Sequence, residues 1–432
     1  MTVALAFKGE LEELDAGAHG ADHAIARAHT PLLMLDQAEP YPPLAMGYTI
    51  FREPGQSPSS KFQVRPLGGP AIEYAVWYDW DIQHMYDLEH VWVYLDEIGK
   101  VIRVEASRHG KRLEMTIDGG LCRMQGSRPV LYAEAGKHAH WVDPAEMKEK
   151  TGRLLSALCN ELSAWEGVHL GNVFATSGRI TPTAFDHRLA KLKMKADAFE
   201  PSFAFTGNSD QGQGVSLVPW GILERWIPAR IASLIVRLPQ DIPHIRAVLF
   251  DCGDTIADEA TEEKLPGSEV VVRAELIPGA GEMVRQVAAA GYRLALVADG
   301  PRETFENILK PAGLWDLFDA HIISGDVGEP KPSPKMYAAA FEQLGLEKAQ
   351  AGSTVMIGNN LSRDIKGANA FRITSIFFGW SRRRTHEPAE DGERPDFSVF
   401  TPADVPPLLH EIEAAMQQEV LAERPKAGGA EA

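Results

Sequence analysis

With 432 residues, 44% of them hydrophobic and 24% charged, the chain has the composition of a folded globular protein. It is too long for one ordinary core, so two domains are expected. A formal charge of −17, spread along the chain, argues against nucleic acid or an anionic membrane as partner, since both require a basic face. Cys122, Cys159 and Cys252 form no pair at metal or redox spacing, which fits a reducing compartment. The first ten residues have no basic n-region, and no window is apolar enough to span a bilayer. A cytoplasmic protein is expected.

Residues 45 to 140 have a β-like pattern, with strands predicted at Ile72–Tyr78, Val91–Leu95 and Pro129–Ala133. Trp92 and Tyr94 are expected to pack between layers. Residues 52 to 70, rich in Pro, Gly and Ser, read as loop. Helical spacing over 144–165 places Asp143 at an N-cap, and a short helix is predicted over Ile222–Leu238 before a linker beginning at Pro239. Beyond 245, strands at 246–251, 293–298, 319–324, 353–358 and 373–378 alternate with helices at 279–290, 302–311, 334–345 and 363–371. Such alternation implies a parallel sheet covered on both faces. Three segments follow: a mainly β domain over 1–240, an α/β domain over 241–415 and a disordered tail over 416–432.

The chemistry gathers in the α/β part. An apolar strand, Ala247-Val-Leu-Phe, ends on Asp251, with Gly253 and Thr255 directly after it. A buried strand fixes such a carboxylate at the carboxyl edge of the sheet, where ligands of open α/β sheets bind. Three further pieces follow in order: Leu294-Ala-Leu-Val-Ala-Asp299-Gly300, then Lys331 between two prolines, then Ile357-Gly-Asn-Asn-Leu-Ser-Arg-Asp364. Together the four resemble the motifs of the haloacid dehalogenase superfamily of hydrolases over residues 245 to 415.

That resemblance implies a Rossmannoid domain in which Asp251 attacks a phosphoryl group and Lys331 balances charge, with Thr255 bonded to the site. It implies Mg²⁺ held by Asp251, Gly253, Asn359 and Asp364, and phosphate contacts from the backbone at Asp299 and Gly300. Three positions depart from the family pattern. The second aspartate, a general acid and base two places after the nucleophile, is Gly253 here, with Asp254 one place further on. The hydroxyl residue of the second motif is Ala298, and the first acid of the fourth is Asn359. Residues 252 to 277 are too few for a helical cap, so an open site is expected, facing a large substrate or covered by the N-terminal domain. The acids of Asp258-Glu-Ala-Thr-Glu-Glu-Lys are expected to be solvated on a mobile flap.

In the N-terminal half, Asp81, His84, Asp87 and Glu89 suit a second divalent cation, Asp87 and Glu89 lying two apart on one strand face. With Trp77 and Tyr78 they resemble a segment of the necrosis- and ethylene-inducing protein family, which implies a β-sandwich with a metal site. The rest of that family's heptapeptide is absent, and no toxin function is carried over. His138 and His140, two apart, could ligate metal or be polar surface.

The leading expectation is a Mg²⁺-dependent phosphatase acting on a phosphate monoester, small or macromolecular, through an aspartyl-phosphate at Asp251. The altered positions keep two alternatives open: a binding or scaffold module without turnover, and a dehalogenase-type hydrolase. The substrate and the oligomeric state do not follow from the sequence.

Overall fold

Alternation along the strand Met85–Leu95 decides which way its side chains face. Val91, Val93 and Leu95 point into a core shared with Ile72, Tyr74, Val76, Val104, Leu33, Leu35 and Leu131. Trp92 and Tyr94 point the other way and pack with Phe51, Val64 and Ala71. The expectation that those two aromatics lie between the layers is therefore corrected: a period of two leaves that place to the valines. Segment 52–70, predicted as loop, carries a small ladder, Gly55–Gln56 against Gln63–Val64, and supplies Val64 to the outer cluster.

The computed structural model describes residues 20–171, 173–207 and 215–423. Two units are distinguished: residues to Pro182 with Leu189–Asp241, and Thr183–Arg188 with Ile242 onward. In the first, a six-stranded sheet runs in the order Ser216–Pro219, Ala45–Phe51, Ala71–Trp80, Met85–Leu95, Val101–Arg108 and Lys111–Glu114. All its pairs are antiparallel except the first, Ser216–Pro219 against Ala45–Phe51. A second sheet is built from Met124–Gln125, Arg128–Ala133, Leu32–Asp36 and Phe205–Gly207, with His140–Trp141 paired to Arg128–Ala133. The shared cluster takes side chains from both sheets, which makes this a β-sandwich. The helix Trp220–Asp241, longer than predicted, packs Trp220 and Leu223 within about 3 Å of where a Cβ on Gly47 would lie, so only glycine fits at 47. Asp143 caps the helix Pro144–Cys159 by accepting from Ala145 N, as the sequence predicts.

The second unit contains a six-stranded, wholly parallel sheet in the order Ala320–Ile323, Leu294–Ala298, Ala247–Phe250, Thr354–Gly358, Thr374–Phe378 and Phe397–Val399. All five predicted strands are present; Phe397–Val399, too short to announce itself, is added. Alternate residues cover the two faces. Val248, Phe250, Leu296 and Ile357 meet helices Ala280–Ala289 and Arg302–Leu309, while Leu249, Val297 and Met356 meet helix Pro334–Leu344. This is a three-layer α/β arrangement. The helix Val405–Glu423 runs past 416, which corrects the start of the predicted disordered tail; residues 424–432 lie outside the described residues. Among the described residues, no helix is long and apolar enough to cross a membrane.

Candidate active site

The strand order reverses direction between Ala247–Phe250 and Thr354–Gly358, and the crevice beyond such a switch point is where α/β sheets hold ligands. Asp251 sits at its mouth, its backbone N–H donating to the Ile357 carbonyl at 2.9 Å. Lys331 Nζ lies 2.6 Å from Asp251 Oδ1 and 2.6 Å from Asp364 Oδ1, and donates to the Val297 carbonyl at 2.7 Å. The Lys331 N–H donates to Asp299 Oδ1 at 2.9 Å, tying the second and third motifs together. Asp364 reaches this cluster from the turn Leu361–Ile365, and Asn360 N–H donates to its Oδ2 at 2.9 Å. A Cβ on Gly358 would lie 2.5 Å from the Asp364 Cβ, so glycine is required at the strand end for this carboxylate to approach.

The cluster is electrostatically tense. Burial, and then the charge of Asp251, push the Asp364 carboxyl up to about 7. Burial alone would pull the Lys331 ammonium down, but Asp251, Asp364 and Asp299 hold it well above the usual lysine value. Asp364 Oδ1 has no hydrogen-bond partner beyond that ion pair. Two buried carboxylates and the amide of Asn359 are hard oxygen donors short of positive charge, which fits Mg²⁺. Gly253 could contribute only its carbonyl.

Asp251, Gly253, Asp299, Gly300, Lys331, Asn359 and Asp364 all line one cavity of about 980 Å³. Thr255 does not. It is fully buried away from the cavity, and its hydroxyl has no hydrogen-bond partner, because the turn after Gly253 carries it into the core. The Gly300 N–H, an expected phosphate contact, donates to Ser324 Oγ at 2.9 Å. Ser324 lines the cavity and brings a hydroxyl to the edge where Ala298 has none.

Asp254 is no substitute for the absent second aspartate. It is fully buried at φ 51° and outside the cavity lining, with Arg383 Nε donating to its Oδ2 at 2.9 Å and Arg383 Nη2 to its Oδ1. The flap is a turn, Glu259–Thr261, followed by a ladder of Glu263–Lys264 with Val271–Arg273. The expectation that its acids are solvated is corrected. Asp258 pairs with Arg383, and Glu259 lines the cavity with Arg384 Nη2 3.2 Å from both its carboxylate oxygens. Arg302, Arg363 and Arg384 are cavity residues that sequence reasoning passed over, and Glu259, expected to be solvated, joins them. The available signal was the match between the acids at 258–263 and the basic run Arg382-Arg-Arg384.

In the first unit, Asp81 precedes the turn that leads into the strand Met85–Leu95, and its N–H donates to the His84 carbonyl at 2.9 Å. Among the described residues, Asp81, Asp87 and His138 form a group whose ligand atoms lie within 4.8 Å of one another. The fully buried His138 ring has Asp87 Oδ2 at 3.4 Å on one side and Glu39 Oε1 at 3.5 Å on the other. Burial opposes its charge, yet Glu39 and Asp87 raise it to about 10. Lys137 is paired to Asp81. His84 and Glu89 are turned to other partners: His84 Nδ1 to the Tyr86 carbonyl at 2.9 Å with Nε2 3.9 Å from Asp81, and Glu89 to the Ser107 hydroxyl. Burial and then the charge of Asp87 push Glu89 up to about 8. His140 is buried, and burial lowers it to about 4.

The haloacid dehalogenase-like hydrolase family model matches residues 258–372. Glyceraldehyde 3-phosphate phosphatase of Methanopyrus kandleri is 27% identical over 128 residues, covering 29% of this chain and 53% of that protein. N-acylneuraminate-9-phosphatase of Mus musculus is 29% identical over 129 residues, covering 30% and 50%. Pyrophosphatase PpaX of Halalkalibacterium halodurans is 33% identical over 105 residues, covering 24% and 47%. The chain thus spans about half the length of the curated relatives it matches.

Proposed function

We propose that the C-terminal unit, a haloacid dehalogenase-like hydrolase domain, is a Mg²⁺-dependent phosphatase that cleaves a phosphate monoester through an aspartyl-phosphate at Asp251. The observation that carries this reading is the bridge of Lys331 Nζ between Asp251 and Asp364, 2.6 Å from each, at the carboxyl edge of the central strand. Lys331 fixes one Asp251 oxygen and leaves the other available for attack, while its charge offsets that of the incoming phosphoryl group. Asp251, Asn359 and Asp364 would hold Mg²⁺, which when bound supplies charge neutralisation at the phosphoryl oxygens. The Ser324 hydroxyl and two cavity arginines, Arg302 and Arg363, suit the remaining phosphate charge. Similarity to three phosphatases that differ in substrate supports a phosphorylated small molecule as the substrate class.

Turnover of a panel of phosphate esters with Mg²⁺ tests the reading, with Asp251→Asn as the control. Activity that falls by about 10³-fold or more in the variant is expected. No turnover by the intact chain on any ester would leave a binding module, and halide release from 2-haloacids would assign the dehalogenase reading instead.

For the first unit, the convergence of Asp81, Asp87 and His138 supports a divalent-cation site, in which these three would hold the ion once Lys137 has left Asp81 and His138 has lost its proton. Calorimetric titration with Ca²⁺, Mg²⁺ and Mn²⁺ tests it, and no heat beyond that of Asp87→Asn would sink it. The three described cysteines, all free and buried, fit a cytoplasmic location.

A further inference from the structure

Phosphoryl transfer through Asp251 needs a proton moved twice. The leaving alkoxide must gain one, and the water that later attacks the aspartyl-phosphate must lose one. Gly253 has no side chain to do this, Asp254 is buried and clamped by Arg383, and Lys331 is committed to two carboxylates and a carbonyl. Yet the space that a side chain at 253 would fill is not empty. A Cβ on Gly253 would lie 3.1 Å from both Cγ and Cδ of Glu259 and closer still to its Oε1, and all three of its nearest atoms belong to Glu259. A carboxylate from six residues further on thus lies over the turn where a local acid is missing, on the wall of the cavity that contains Asp251.

Its placement is fixed from three sides. Asp258 caps the turn that carries it, accepting from Ala260 N at 2.9 Å. Its own N–H donates to Asp254 Oδ1 at 3.1 Å, so the buried Asp254–Arg383 pair positions Glu259. Arg384 Nη2 stands 3.2 Å from both its oxygens.

We propose that Glu259 is the general acid and base of this site, an inference that rests on the phosphatase reading and deepens it. In the first half-reaction the Asp251 carboxylate forms a bond to phosphorus, the ester P–O bond breaks, and the Glu259 carboxyl gives its proton to the departing oxygen. In the second, the Glu259 carboxylate takes a proton from water, the water oxygen bonds to phosphorus, and the P–O bond to Asp251 breaks. Alcohol and inorganic phosphate leave, and Glu259 is again protonated. Arg384 stabilises the carboxylate form on which the second step depends.

The test compares kcat/KM of the full chain and of Glu259→Gln, with Mg²⁺, on phenethyl phosphate and 4-nitrophenyl phosphate. Phenethoxide needs a proton to leave; 4-nitrophenolate does not. The variant is expected to lose roughly 100-fold or more on the alkyl ester and less than about tenfold on the nitrophenyl ester. It should also show a burst of nitrophenolate before slow turnover, as the aspartyl-phosphate waits for its base. The ratio between substrates is internal to each preparation, so a partly folded variant cannot mimic it. Should Glu259→Gln not fold, Glu259→Asp, which withdraws the carboxyl but keeps its charge, must show the same inequality in smaller measure. Equal losses on both esters in an active background would overturn the inference alone. A wild-type chain inactive on both, and on the wider ester panel, would remove the phosphatase reading and this inference with it.

Discussion

Asp254 and Arg383 form a two-pronged ion pair in which the carboxylate is fully buried and the guanidinium remains over a third exposed. The pair closes the turn that follows the nucleophile. Because Asp254 also accepts from Glu259 N, the turn and the flap are held by the same carboxylate. Arg383→Met should therefore lower stability, leaving a buried charge without its partner, and loosen the placement of Glu259. Breaking a fully buried pair costs roughly 3–5 kcal/mol, and partial exposure of the arginine brings the expected loss to about 2. Thermal unfolding should show the transition of this unit lowered by about 4–8 °C. An unchanged transition would mean that the pair contributes nothing.

Lys331→Met removes the cation between Asp251 and Asp364. Two buried carboxylates then face each other, and a loss of roughly 3–5 kcal/mol is expected in metal-free buffer, read by urea unfolding. Mg²⁺ should restore more stability to this variant than it adds to the wild type, because it supplies the charge that the lysine supplied. Equal Mg²⁺ effects on both would count against Asp251 and Asp364 as its ligands.

Gly358→Ala places a methyl group 2.5 Å from the Asp364 Cβ. The turn Leu361–Ile365 must shift to admit it, at a cost of about 1–3 kcal/mol. Displacement of Asp364 should weaken Mg²⁺ activation by more than tenfold. Crystallographic placement of Asp364 alongside the Mg²⁺ dependence of turnover would check both halves.

His138 makes the first unit sensitive to alkali. Its imidazole holds a proton up to about 10 in the folded chain against 6.5 in an unfolded one. Between those values only the folded state binds the proton, so the stabilisation is complete below 6.5 and is lost as pH rises through 10. Glu89, raised from 4.5 to about 8, changes in the same direction over a lower range. Melting curves from pH 6.5 to 10 should show this unit weakening, and His138→Asn should flatten the upper part of the slope. If Asp81, Asp87 and His138 take a cation, its stabilising effect should grow with pH over the same range, since binding must expel that proton.

The α/β unit was legible because each of its signals is local. An apolar run ending at Asp251, a lysine between prolines and Asp364 beyond Gly358 mark strand ends and turns by spacing alone, and strand ends in a parallel sheet converge at one edge. Thr255 was misplaced because which way a turn residue points depends on a single backbone angle. Asp254, next to it, has a φ of 51°. Glu259 was expected to be solvated because an acid in a charged run ordinarily is, and its partner Arg384 lies far along the chain. In the first unit, Asp81 is legible from its turn and Asp87 from its strand, but His138, remote in sequence, takes the place of His84 and Glu89 in the group.

The sequence by itself thus determined the alternation of strands and helices beyond 245 and the placement of Asp251, Lys331 and Asp364 at strand ends and turns, since periodicity and strand-end position carry that information. The tertiary structure alone decided which face Trp92 and Tyr94 cover, which histidine joins the buried carboxylates, and that the space beside Gly253 belongs to Glu259. Those outcomes depend on packing between segments far apart in the chain, and spacing along a sequence holds no record of distance across a fold.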